Sequence, residues 1–460
     1  MSRCTATALT LTLLTAGGAN AQNTTNTRPP LPLIALQRPA AAPVVITLQD
    51  ALARAKVNDN QLQGSLADAQ SAHEDRTQAR ASLLPSVGFT TQYLGNSPST
   101  PEGLKTGRFV SLDGVNMYRV WGTVHQELSA NTLMLTPYRK ASAAEAAAQA
   151  KLEVAQLGLA VTVTKNYYAL VTAQRKYATA QEAAQQAQHF LDNSRQQERL
   201  GQAAHADAVK AEIAFGQQQQ SFEETSLEMD NARLTLAVML FETLDENFTV
   251  VDDLGSPPSL PVFADVQVMA EKGNPDIKAA DQALRAAGQD VAASKNAFLP
   301  SLVFDGVYGI EANSLALHSV VAADPALGVL PNLGYFVTAN VSIPVWDWGS
   351  LRSKLAQSKV REKQAQVELS HTQRQVLANL YSLYNEALTA KAAVDNTRHV
   401  ADLAAESLRL TNLRYLAGES TALEVVDAQS TQVQARSAFD DTEARYRVAL
   451  AELQTVTGSF

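Results

Sequence analysis

The sequence predicts an α+β membrane protein, a trimeric 12-stranded antiparallel β-barrel with four strands per chain, continuous with a long α-helical coiled-coil barrel and built from two tandem structural repeats. Three observations carry that reading: the chain matches itself at one offset, each copy holds two segments of strict alternation, and each copy holds a very long proline-free helical run that turns back at a glycine. Each element follows from its residues in turn.

The N-terminus MSRCTATALTLTLLTAGGANAQ has one positive charge at Arg3, an apolar run from Ala6 to Ala16 and the small-residue site Ala19-Asn20-Ala21. This pattern predicts a signal peptide over residues 1–21, cleaved before Gln22. Cys4 is the only cysteine and precedes the apolar run, so the mature chain is expected to carry no thiol, disulfide or lipid anchor. Residues 22–45 are rich in Pro and Ala, which excludes a regular helix and predicts an extended leader. No later run of about 18 apolar residues exists, so no spanning helix is expected, whereas a barrel stays open as a route into a membrane.

The two copies occupy 46–256 and 257–460. RASLLPSVGFTTQY from Arg80 matches KNAFLPSLVFDGVY from Lys295, at a spacing of about 215 residues. RLGQAAHADAVKAE from Arg199 matches LAGESTALEVVDAQ from Leu416, with Gly201 facing Gly418. The prolines of LGSPPSLP mark the division.

Each copy opens with an Ala/Gln-rich helical run, Thr47 to Leu83 or Val262 to Phe298, that stops at a Leu-Pro step. Proline lacks an N–H and disfavours helix at the residue before it, so Pro85 and Pro300 are helix-to-strand transitions. Alternation then predicts strands over about 86–95 and 117–128 in the first copy, and about 302–311 and 335–346 in the second, the last containing Pro344. Each has roughly ten residues, the length that crosses a bilayer when tilted. Tyr93, Tyr118, Tyr335, Trp346 and Trp348 cluster near strand ends, as an interfacial girdle would.

Two helical hairpins come next, about 136–241 with its bend near Gly201 and about 350–457 with its bend near Gly418. The arm from Ser350 to Tyr415 has no proline, and at 1.5 Å per residue it is roughly 100 Å long. Glycine supplies the left-handed turn that ends each arm. Ala-rich, weakly charged surfaces suit packing against neighbours on two sides, as in a closed cylinder. Four strands cannot close a barrel, and three copies would supply twelve.

Composition narrows the function. A formal net charge of −9 without a concentrated basic face argues against nucleic acid as a partner. The seven histidines show no metal-ligand spacing, no Walker loop is present, and GESTA at Gly418 lacks both the second glycine and the strand of a nucleophile elbow. Neither an enzyme, a cofactor nor a metal is expected. Glu424 and Asp427, three residues apart after the second bend, form either a solvated helix face or a functional acidic pair.

Taken over nearly the whole mature chain, the sequence resembles the TolC family of outer-membrane efflux channels. VSIPVWDWG from Val341 and RYLAGESTALEVVDAQ from Arg414 carry the resemblance most specifically, with ITLQDALARA and both Leu-Pro-Ser steps. The first copy departs from the pattern with ELSANTLMLTPYR in place of Pro-x-aromatic-Asp. The resemblance implies a homotrimer in outer-membrane lipid of a Gram-negative-type bacterium. It implies a periplasmic adaptor docked at the hairpin bends, Gly201 and Gly418, and an inner-membrane pump of RND, ABC or MFS type. By matching position, Glu424 and Asp427 would form acidic rings that narrow the closed pore, and Asp207 and Tyr415 would hold the tip shut. Ser420 stands where the best-known latch has an arginine. The family exports drugs, metals, siderophores and proteins, including by type I secretion. The alternative is a periplasmic coiled-coil adaptor, which predicts a single hairpin between lipoyl-like and barrel domains.

Overall fold

The computed structural model describes residues 43–95, 116–201, 203–244, 247–256, 258–312, 315–318 and 331–458. The expected signal peptide, most of the leader and the greater part of both strand-connecting loops lie outside the described residues. In chain order the first copy contains β1 (Val44–Ile46), α1 (Leu48–Asn58), α2 (Asn60–Ala81), β2 (Ser86–Gly95), β3 (Asn116–Leu128), α3 (Ala130–Leu133), α4 (Thr136–Arg199), α5 (His205–Leu240) and β4 (Phe248–Val250). The second contains α6 (Phe263–Gly273), α7 (Pro275–Asn296), β5 (Ser301–Ala312), β6 (Leu333–Ser342), α8 (Ser350–Leu416) and α9 (Ala422–Thr457).

Three expectations need correction. Each opening helical run is two helices. Asp59 and Asn274 both adopt non-helical backbone and cap the next helix, accepting from Leu62 N at 2.6 Å and from Ile277 N at 3.0 Å. Short side chains that bond their own backbone compete with helix continuation, and the runs break there. The second strand of the second copy ends at Ser342 instead of 346, because Pro344 removes a ladder donor. The end of the leader is a strand in its own right, since β1 pairs in parallel with β4, Val44 opposite Phe248.

The remaining strands form one antiparallel sheet in the order β2-β3-β5-β6. Directly opposed residues share a face, so the register fixes both surfaces. Val87 lies opposite Val124 and Tyr93 opposite Tyr118; Val120 faces Ile310 and Tyr308 faces Tyr335. This face is aliphatic and aromatic and largely exposed, with Val87 at 78% and Tyr335 at 80%. The other face carries the charged pairs: Arg119 bonds Glu311 at 2.7 Å and Gln92 at 3.1 Å, and His125 bonds Asp305 at 2.6 Å, with Trp121 against Phe336 on the same face. Among the described residues β2 and β6 each leave one edge unpaired.

Beneath the sheet α2, α4, α7 and α8 lie side by side in that order, each strand leading into or out of the helix below it. Farther down, α5 packs on α4 and α9 on α8, giving the two hairpins. Midway along α4 a waist covers one face. There α1, β1 and β4 close over Val163, Tyr167, Leu170 and Val171, with Leu236, Leu240 and Leu254 fully buried. Each such aliphatic side chain contributes about 1.5–3 kcal/mol of transfer free energy. The Tyr167 hydroxyl donates to Val251 O at 2.7 Å, and burial raises its pKa to about 12. Among the described residues no helix is long and apolar enough to cross a membrane.

Candidate gate at the hairpin tips

Both hairpins turn by the same device. Gly201 has φ 72° and Gly418 φ 76°, the left-handed region that costs other residues steric energy. At the second tip Gly418 N donates to Tyr415 O at 3.0 Å and Glu419 N to Arg414 O at 2.8 Å, which satisfies the last carbonyls of α8. The tips differ in how the returning helix begins. Helix α5 has no side-chain cap, whereas α9 begins with a capping box between Thr421 and Glu424.

That box sets the state of Glu424. Its carboxylate accepts from Ser420 Oγ at 2.8 Å and from Thr421 Oγ1 at 3.2 Å, and Arg414 lies 3.8 Å away. The Ser420 hydrogen bond is the largest of the effects holding its pKa below the ordinary carboxylate value. Ser420, a position expected to latch the tip, thus orients the acid expected to line it. Asp427 is exposed one turn farther along α9.

The Tyr415 hydroxyl meets Ser194 Oγ of α4 at 3.2 Å, and its ring packs on Phe190 with centroids 5.1 Å apart. Phe190, Leu191, Ala211, Ala422 and Val425 form a small core that ties the second hairpin to the first just above the bends. The structure therefore brings Tyr415 together with Ser194 rather than with Asp207. Asp207 sits half-buried in the first turn of α5, where its charge suits the helix N-terminus.

A second junction between the hairpins was not legible in the sequence. Arg175 of α4 bonds Asp252 with two nitrogens, at 2.7 Å for Nη2, and through Nη1 reaches Asp440 at 3.1 Å and Glu443 at 2.7 Å on α9. Asp440 and Glu443 are almost fully buried, with Arg436 at 3.8 Å and Arg398 at 3.5 Å as their second partners. Burial pushes Asp440 up and outweighs its arginines. Burial acts the same way on Asp252, but there the paired Arg175 hydrogen bonds win and the pKa is lowered. Arg447 completes the clasp by donating to the Asp253 and Ser256 carbonyls while stacking over Tyr168 at 5.6 Å. The available signal was a pair of acidic doublets, Asp252-Asp253 and Asp440-Asp441, opposite arginines on another helix.

The comparisons with known proteins agree with this architecture. The family model described as outer membrane efflux protein matches residues 51–240 and 267–459, its two segments following the two copies. Outer membrane protein OprJ of Pseudomonas aeruginosa is 23% identical over 415 residues, 87% of this chain and 81% of that protein. Outer membrane protein TolC of Escherichia coli is 21% identical over 411 residues, 88% of this chain and 81% of that protein. The crystal structure of the Campylobacter jejuni CmeC outer membrane channel superposes with a TM-score of 0.75 at 17% identity, covering 93% of this chain and 90% of that one. With a duplicated strand and hairpin plan and a family match over most of its length, the chain belongs to the outer membrane efflux protein family.

Proposed function

We propose that three copies of this chain form the outer-membrane duct of a tripartite export system, a passive path from a periplasmic adaptor and inner-membrane pump to the exterior. The observation that carries the reading is the four-stranded sheet. It is apolar on one face, carries the charged pairs on the other, is about as long as a bilayer is thick, and among the described residues is open at both edges. An exposed sheet edge is satisfied when β6 of one copy pairs with β2 of the next, and twelve strands then close without an edge. The apolar face meets lipid and the Arg119–Glu311 and His125–Asp305 pairs line the passage.

Below, the hairpins of three copies form the helical wall, and the tip is its gate. Glu424 and Asp427 of each copy form rings of like charge around the axis, which favours cations and resists anions. Tyr415–Ser194 holds the second hairpin against the first, and opening requires that contact and the small core around Phe190 to separate. Two hairpins on membrane-length strands favour a duct over the single-hairpin adaptor.

The test is fractionation with heat-modified electrophoresis, followed by planar-bilayer recording. A heat-labile trimer in the outer membrane with cation-selective conductance is expected, and a monomer in the periplasmic fraction would refute the duct. Charge removal by Glu424→Gln/Asp427→Asn is expected to weaken block by divalent cations. Unchanged conductance and block would refute the rings.

A further inference from the structure

Just below the sheet, α4, α7 and α8 enclose a groove of about 1040 Å³ whose walls include Tyr138, Arg139, Ser142, Arg285, Lys359 and Lys363. Four cations and one acid, Glu362, line it in a chain whose formal net charge is −9. Arg285 is held by Asp281 at 3.0 Å, while Arg139, Lys359 and Lys363 have no ion-pair partner among the described residues. Arg352, also exposed, lies one heptad above Lys359 on the same face of α8. These cations await an anion.

The groove is on the outside of the helical layer. Arg139 and Ala146 share a heptad position of α4 with Tyr167, and Ser142 shares one with Val163 and Leu170, the residues that the waist covers. A layer of α1, β1 and β4 on that face leaves the other face of α4 to line the duct. The groove's height is fixed as well. Arg139 stands in the first turn of α4, and Lys363 is 13 residues into α8, about 20 Å below its start.

Between this groove and the sheet runs an apolar collar. Leu133, Met134 and Leu135 at one junction, and Trp346 and Trp348 at the other, are exposed, Trp348 by 89%. Among the described residues Leu135 and Trp348 are the two non-glycine residues with positive φ, 55° and 56°. A bulky side chain in that region is strained, and here the strained residue is an exposed apolar one in both copies. Apolar surface above and cations below match acyl chains above and a phosphate below.

We propose that this collar and groove bind an anionic phospholipid of the periplasmic leaflet, its acyl chains against Trp346, Trp348 and Leu135 and its phosphate drawn into the upper groove by Arg139, Arg285, Lys359 and Lys363. The proposal rests on the duct reading, which places the apolar sheet face in the membrane. The lipid fastens the helical wall where it leaves the bilayer, so the tip can move while the membrane end stays fixed.

In the test, purified full-length protein in neutral detergent is titrated with phosphatidylglycerol, phosphatidylcholine and inorganic phosphate, with bound molecules counted by native mass spectrometry. Saturable binding of phosphatidylglycerol is expected, at least tenfold tighter than that of phosphatidylcholine, with no saturable binding of phosphate. Arg139→Gln/Arg285→Gln/Lys359→Gln/Lys363→Gln should lose roughly tenfold or more in affinity, since each cation near an anionic headgroup contributes. Lys359→Gln/Lys363→Gln should lose part of it. Lys354→Gln/Arg361→Gln, on the opposite face of α8, should keep it. Equal binding of the two lipids, saturable binding of phosphate alone, or unchanged affinity in the groove variants would overturn the site. Conductance and detergent-resistant assembly of the same preparations are read separately: a conducting trimer without lipid selectivity refutes only the site, and a protein that forms no trimer refutes the duct.

Discussion

Replacing Arg175 by Met tests the waist clasp, because it removes one cation from three carboxylates while keeping the long aliphatic stem. Asp440 and Glu443 have 0% and 3% of their side chains exposed and would keep only Arg436 at 3.8 Å and Arg398 at 3.5 Å. Breaking a buried pair from one side costs about 3–5 kcal/mol, and the two remaining arginines place this case near ~3 kcal/mol per chain. At about 2 cal/mol/K of unfolding entropy per residue over roughly 400 residues, that is a shift of about 4 °C. The assay is the temperature at which the oligomer band gives way to monomer on electrophoresis, at pH 7.5 and pH 5. Burial holds Asp440 above its ordinary value, so the folded chain keeps this proton more readily than the unfolded chain, and the group's contribution to stability falls as pH rises through the folded value. Loss of Arg175 raises that value further. The variant's deficit should therefore be full at pH 7.5 and smaller at pH 5, and Asp440→Asn in the same background should recover part of it. An equal deficit at both pH values, or none at either, would show that the clasp is not a buried charge pairing.

Three further outcomes concern the tip. Gly418→Val forces a β-branched residue to φ 76°, costing about 1–3 kcal/mol, and should lower the melting midpoint where Gly216→Ala, in a helix with open space around it, does not. Tyr415→Phe removes one neutral hydrogen bond to Ser194, about 1 kcal/mol, and should raise the open probability of single channels without altering their full conductance. Glu424 has a depressed pKa in the folded chain, so its stabilising contribution is present above the ordinary carboxylate value and is lost as pH falls through the folded one; Ser420→Ala should move the acid limb of a pH–conductance profile upward.

The parts of this fold that repeat were legible and the parts that depend on pairing were not. Alternation from Val87 to Tyr93 and from Leu302 to Ile310 gave the strands, and the register places those residues on one exposed apolar face as period two requires. Gly201 and Gly418 were legible as bends because only a positive φ needs glycine there. The breaks at Asp59 and Asn274 were missed because a single capping residue hardly alters an amphipathic pattern read over many turns. The β1–β4 pair was missed because three-residue strands about 200 residues apart carry no periodic signal. Arg175 was missed for the related reason that its meaning lies wholly in which helix faces it, and α4 meets α9 only once both hairpins have formed.

Where the two hairpins are joined bears on how the proposed gate would work. The second hairpin touches the first at the waist through Arg175 and, far below, at the tip through Tyr415 and the core around Phe190. The waist contact is ionic, buried and shared among residues of α4, α9 and the linker between copies, so separating it exposes charges that have few other partners. The tip contact is one neutral hydrogen bond and a few apolar side chains, and Glu424 is held within its own hairpin by Ser420, Thr421 and Arg414 rather than by the first hairpin. The weaker joint is therefore at the end and the stronger one is partway up. On the proposed gate, an outward swing of the second hairpin about the waist would break the weaker joint alone, and a partner bound at the exposed bends would have the full lower arm of α8 and α9 as its lever.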